Sequence, residues 1–209
     1  MPAEIVHAPN ENAPFTLAIW TLNESDEALH AQWIQCGSSE VKPVIKSARR
    51  NREWLASRLL MHHMNVPKLT YLPNGKPMLP AGQLSISHCD NLVALVLADS
   101  PVGIDVQQPT EQIRTILTKF CSPGEQARLM SASQADPTSA LRDMTITWSA
   151  KEAIFKFWGE NVAFAEHIEI APFTADDARI TAHYSGVHGQ RTFELWHYHH
   201  QAHEIVIAL

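Results

Sequence analysis

Apolar positions change their period along the first hundred residues, and each change marks an element. Thr16 to Trp20 is a short strand-like run. From about Asp26 the spacing turns helical until Gly37, and from about Lys46 to Met64 Leu55, Ala56 and Leu59 share one face of a longer helix before Pro67 stops it. A rigid turn follows at Pro73-Asn74-Gly75-Lys76-Pro77. The period then drops to two over Leu84–Ser87, Leu92–Ala98 and Val102–Gln107, with turns at His88-Cys89-Asp90-Asn91 and Asp99-Ser100-Pro101. If both turns close hairpins, Asp105 and Gln107 return to within about 10 Å of Ser87 and His88.

Beyond the third strand, Ile113, Ile116, Leu117 and Phe120 recur as the buried stripe of a helix from about Thr110. Ser122-Pro123-Gly124-Glu125 has the form of a capping box with proline at the first helical position, and predicts a short helix through Met130. Asp136-Pro137 starts a long helix that ends near Gly159, and four runs (168–170, 179–184, 190–199, 204–209) read as strands. These elements predict an α+β protein.

Composition narrows the classes. With 209 residues and 45% hydrophobic content the chain can bury a full core as one large or two small domains. Its net charge of −6 gives no global case for nucleic acid, so any anion site must be local. No apolar run approaches membrane-spanning length and Met1-Pro2-Ala3-Glu4 lacks signal-peptide features, so a cytoplasmic protein without membrane attachment is expected. Three cysteines without close spacing read as reduced thiols. The histidines near the C-terminus, His197, His199, His200 and His203, read as a surface strand and turn, with His197 and His199 on one face.

Candidate chemistry concentrates in a few acids and bases. Asp105 lies in Gly103-Ile104-Asp105-Val106-Gln107, where Gly103 admits close backbone approach while Ile104 and Val106 face the core. On the long helix Trp148, Ser149, Glu152 and Lys156 fall on one stripe, and Glu152 with Lys156 is at the least an i,i+4 pair. Two carboxylates and a cation together suit Mg²⁺ and a phosphate-bearing substrate. Lys46, Arg49, Arg50, Arg52 and Arg58 give the second helix a basic character, which a solvated face also explains.

The order Gly75-Lys76-Pro77, Ser85-Ile86-Ser87-His88, Gly103-Ile104-Asp105-Val106, Phe120 with Ser122 and Glu125, then Trp148-Ser149-Ala150-Lys151-Glu152-Ala153 with Lys156 resembles the 4′-phosphopantetheinyl transferases, particularly their monomeric surfactin-type branch. The resemblance runs from about Arg49 to Lys156. It implies two similar α/β halves in a pseudo-twofold arrangement, 1–101 carrying nucleotide contacts and 102–209 the Mg²⁺ site and catalytic helix, with coenzyme A in the cleft between them.

Activity is implied too: transfer of the 4′-phosphopantetheine arm of coenzyme A to a serine of an apo acyl or peptidyl carrier protein, releasing adenosine 3′,5′-bisphosphate. Asp105 and Glu152 would hold Mg²⁺, Lys156 would neutralise the pyrophosphate, and Glu152 would also receive the serine proton. Ser87, His88, Arg52 and Lys76 would contact the nucleotide, His88 at the 3′-phosphate. One chain holding both halves needs no second copy. Docking of an acidic carrier would fall to local basic and apolar residues around Phe120 to Met130.

Two positions complicate the match. Gln107 stands where the family pattern has a second acidic residue, so its carbonyl would coordinate the metal or orient a metal-bound water. Glu125 fits both an acidic residue near the metal and the glutamate of a capping box. The lost charge at Gln107 motivates a second reading, a catalytically weak relative that binds coenzyme A or a carrier protein. An unrelated Mg²⁺-dependent nucleotide enzyme lacks support, since neither a Walker-type loop nor a G-x-G-x-x-G motif occurs.

Overall fold

A computed structural model describes residues 3–7, 14–37, 42–67, 69–160 and 162–209; Met1 and Pro2 of the N-terminal motif lie outside them. The chain forms two compact units, Met1–Asp99 and Ser100–Leu209. Both mix helices with antiparallel sheet, as the alternating periods predict. No helix among the described residues is long and apolar enough to cross a membrane.

In the first unit, β1 (Ala3–His7), β2 (Phe15–Thr21), β5 (Gln83–Cys89) and β6 (Leu92–Ala98) form a sheet in the order β1-β2-β6-β5. The strand β1 was not legible in the sequence. Helices α1 (Asp26–Gln35) and α2 (Ala48–His63) pack on each other, and α2 also packs on β6 and β2. Ser25 and Ser47 cap them, each accepting a hydrogen bond from the backbone amide three residues on. Trp20, Leu29, Leu55, Leu59, Leu60, Val93 and Leu95 fill the space between sheet and helices. The predicted turn around Gly75 joins β3 (Thr70–Tyr71) to β4 (Pro77–Met78), with Gly75 in the left-handed region at φ 84°.

In the second unit, β7 (Gly103–Gln107), β8 (Ile168–Ile170), β9 (Arg179–Gly186), β10 (Gly189–His200) and β11 (His203–Ala208) form a sheet in the order β7-β11-β10-β9-β8. Helices α3 (Gln112–Phe120) and α4 (Pro123–Ala135) pack on α5 (Pro137–Trp158), and the short α6 (Phe164–His167) leads into β8. Helix α4 runs five residues beyond its predicted end at Met130. The side chain of Asp136 accepts from the amides of Thr138 and Ser139 at the start of α5, and Gly159 at φ 91° ends it. Ile146, Ala150, Ala153, Ile154 and Phe157 of α5 meet Phe193, Leu195 and Val206 of the sheet.

The expected three-stranded meander is corrected. Strands β5 and β6 form a hairpin, but they pair through Cys89 and Leu92, so only Asp90 and Asn91 make the turn. Asp90 takes φ 51°, a conformation aspartate tolerates. The second connection is no hairpin: β7 leaves that sheet and pairs antiparallel with β11, Asp105 opposite Val206 and Gln107 opposite Glu204. Period-two patterning shows that a strand exists, not which strand takes its backbone hydrogen bonds. The inference that returned Asp105 and Gln107 to Ser87 and His88 therefore loses its basis.

Candidate active site

A missing side chain decides how near α5 comes to β7. A methyl group on Gly103 would run into the carbonyl oxygen of Ala153 and lie 2.6 Å from the amide nitrogen of Phe157. Strand and helix backbones therefore touch, and the residues preceding those two helix positions, Glu152 and Lys156, sit beside the strand. Ile104 and Val106 are fully buried on one side of β7, while Asp105 projects from the other, itself 3% exposed.

Lys156 Nζ donates to Asp105 Oδ1 at 2.8 Å and to the Ile104 carbonyl oxygen at 2.9 Å. Gln107 Nε2 donates to the second oxygen, Asp105 Oδ2, at 3.1 Å. Glu152 is the less compensated acid. Burial, and then the charge of Asp105, push its carboxyl up to about 7 against the opposing pull of Lys156. Two carboxylates and a lysine thus meet at this strand–helix contact.

The raised Glu152 carboxyl beside Asp105 tests the site for Mg²⁺. Asp105 and Glu152 offer hard anionic oxygens, the kind and number of protein ligands this ion takes when phosphate oxygens and water complete its shell. A cation would offset the two causes that raise Glu152, burial first and then repulsion from Asp105, so the donor set fits. Gln107 is placed to take part: a half-turn of its amide replaces the nitrogen facing Asp105 by the carbonyl oxygen. Ser149 lies one turn before Glu152. Its hydroxyl is buried without a hydrogen bond among the described residues, whereas Thr145 and Thr147 bond the carbonyls four residues back.

Glu125 has a different role. Its carboxylate accepts from Ser122 N at 2.8 Å, Ile170 N at 2.8 Å and Lys151 Nζ at 2.6 Å, and the capping box is complete. Lys151, fully buried, also donates to the carbonyl oxygens of Phe164 and Ile168. Glu125 and Lys151 thus lock α4, α5 and β8 together, with donors on both carboxylate oxygens. Trp148 belongs to this packing, edge-on to Phe120 and Phe164 at 5.1 and 5.6 Å. The stripe that holds Glu152 and Lys156 therefore has an aromatic, packed end.

The remaining predicted residues lie in the first unit. Arg52 on α2 is within 3.5 Å of Asp26, and burial lowers the Lys76 ammonium from its usual value. Ser87 and His88 are neighbours on β5 and so project from opposite faces of the sheet, Ser87 buried and His88 exposed. They do not form one side-by-side pair. His88 Nδ1 instead approaches Glu53 Oε2 at 3.3 Å.

The C-terminal histidines are not all surface residues, which corrects the expectation. His197 is 5% exposed, and its Nε2 bonds fully buried Glu204 at 2.9 Å. Arg142 Nε donates to Glu204 at 2.6 Å, and His199 Nδ1 lies 3.2 Å from it. Burial alone would raise the Glu204 carboxyl, but hydrogen bonds from His197 and Arg142, with their charges, hold it down at about 2. A glutamate directly before the apolar run Ile205–Ala208 is the available signal. The three cysteines are free thiols, and burial pushes Cys121 up to about 12.

The profile of the 4′-phosphopantetheinyl transferase superfamily matches residues 101–209, the stretch that contains Asp105, Gln107, Glu152 and Lys156. The chain belongs to that superfamily. It is 29% identical over 105 residues to the 4′-phosphopantetheinyl transferase psf-1 of Bacillus pumilus, covering 49% of this chain and 42% of that protein. It is 28% identical over 125 residues to the 4′-phosphopantetheinyl transferase gsp of Aneurinibacillus migulanus, covering 56% and 52%. Against the 4′-phosphopantetheinyl transferase HetI of a Nostoc species it is 30% identical over 122 residues, covering 54% and 50%. The matched stretches thus span about half the length of these curated relatives.

Proposed function

We propose that this protein is a 4′-phosphopantetheinyl transferase, a holo-[acyl-carrier-protein] synthase. It takes coenzyme A and an apo acyl or peptidyl carrier protein as substrates, works in the cytoplasm as a monomer, and depends on Mg²⁺. The observation that carries the reading is the grouping of Asp105, Gln107, Glu152 and Lys156 at one strand–helix contact in a member of this superfamily.

In the reaction the carrier serine Oγ bonds to the β-phosphorus of coenzyme A while the bond from that phosphorus to the bridging oxygen breaks. Adenosine 3′,5′-bisphosphate leaves with the electron pair. Asp105, Glu152 and the Gln107 amide oxygen would hold Mg²⁺, which would supply charge neutralisation for the pyrophosphate. Lys156, anchored by the Ile104 carbonyl oxygen, brings its ammonium to the same place and stabilises the charge gathering on the leaving oxygens. Glu152 receives the serine proton, directly or through water. A carboxylate that also faces a cation is a weak base, so positioning and charge stabilisation carry most of the rate. Arg52, Lys76, Ser87 and His88 serve as nucleotide contacts.

Incubation with coenzyme A, Mg²⁺ and a panel of apo carrier proteins, followed by intact mass measurement, tests the reading. A carrier mass gain equal to the phosphopantetheine arm is expected, and it should vanish when Mg²⁺ is chelated. Gln107 donating to Asp105 in place of a third carboxylate favours the second reading, a weak relative that binds coenzyme A or a carrier without transfer. No gain on any carrier, with coenzyme A binding retained, would select it.

A further inference from the structure

The second helix contains a buried acid that the proposed chemistry does not use. Glu53 on α2 is 3% exposed, and neither carboxylate oxygen accepts a hydrogen bond from any described residue. Its neighbours are cations at ion-pair distance: Arg49 Nε at 3.6 Å, one turn earlier and itself largely exposed, and His88 Nδ1 at 3.3 Å on β5. A desolvated carboxylate without hydrogen bonds is costly, and a solvated arginine offsets little of that cost. The imidazole is its closer partner.

We propose that Glu53 is a positioning residue: it holds Nδ1 of His88 so that Nε2, on a ring that is half-exposed, meets a phosphate group of the bound nucleotide. This rests on the reading of His88 as a phosphate contact. The chemistry is that of a ligating histidine fixed from behind by a carboxylate, which settles both ring orientation and the nitrogen left for the ligand. His88 pairs with Val93 on β6, while Glu53 lies on the helix that packs on β6, so both partners sit on rigid elements. Arg49, on the same helix, adds a positive charge beside Glu53.

Calorimetric titration with coenzyme A and with its 3′-dephospho form, on the whole protein with Mg²⁺ present, reads the 3′-phosphate contribution as a ratio of dissociation constants. The wild-type protein should prefer coenzyme A by about tenfold or more, the usual scale of a hydrogen bond between charged groups. Glu53→Gln, which touches no ligand, should lose most of that ratio with little change for the dephospho form. His88→Ala should lose it as well, and the double variant should lose no more than either single one. A role of Glu53 confined to bracing α2 would lower stability but leave the ratio intact. Glu53→Gln keeping the wild-type preference while His88→Ala loses it would overturn the proposal and spare the reading of His88. A wild-type ratio near one would remove both. Should Glu53→Gln not fold, Glu53→Asp serves in the same titration: a reduced ratio supports positioning, an unchanged one overturns it.

Discussion

Two lysines of α5, five residues apart, hold two carboxylates in opposite ways. Lys151 and Glu125 are fully buried, and every charge has hydrogen-bond partners on several elements. Lys156 is about a quarter exposed and bonds Asp105, while the Glu152 carboxyl stays raised against its pull. Closeness of opposite charges is common to both places. What separates a structural brace from a chemical site is whether the acid's charge is already satisfied by protein.

The sharpest way to break the comparison is at the brace. Lys151→Met should destabilise the fold by about 3–5 kcal/mol, because it leaves Glu125 a buried charge with backbone amide donors but no countercharge. Urea denaturation measures this, and a loss under about 1 kcal/mol would mean that Glu125 finds another partner. Asp105→Asn should act in the reverse manner. Transfer should fall about 10²-fold or more while stability changes by less than about 1 kcal/mol, since the substitution removes a charge from a crowded pair.

Glu152 adds a pH signature to the comparison. Its folded carboxyl, at about 7, lies above the ordinary value of 4.5, so the metal-free protein binds this proton more tightly than the unfolded chain. The resulting stability is fully present below about 4.5 and is lost as pH rises through about 7. Melting temperatures of metal-free protein across that window should therefore drop with pH, and Glu152→Gln should flatten the drop. Added Mg²⁺ should flatten it too, by favouring the ionised acid. The smallest effect is expected at Gln107. Gln107→Glu should lower the Mg²⁺ concentration giving half-maximal transfer by several-fold, and an unchanged requirement would place the residue outside the metal's ligands.

Much of the candidate site was legible because its signals are local. Serine, aspartate–proline and glycine mark the ends of α4 and α5, and Gly103 with the alternation of Ile104, Asp105 and Val106 gives the strand its inner and outer faces. Pairing between distant segments was not legible. Nothing near Asp105 states that β7 lies beside β11, about a hundred residues later, and so a local pattern reads as a meander. Glu53, Lys151 and Glu204 were missed for the same reason. A buried charge looks like an exposed one until its partner, from another element, is known.

The contact at Gly103 also limits how this centre can change. Because strand and helix rest on each other's main chains there, the spacing between the two acids is set by backbone packing and not by side chains that can shift to accommodate a newcomer. Any larger residue at 103 acts as a wedge, moving Glu152 and Lys156 together away from Asp105. Attempts to alter the chemistry therefore have more freedom at half-buried Gln107, the last residue of the strand, than at Gly103.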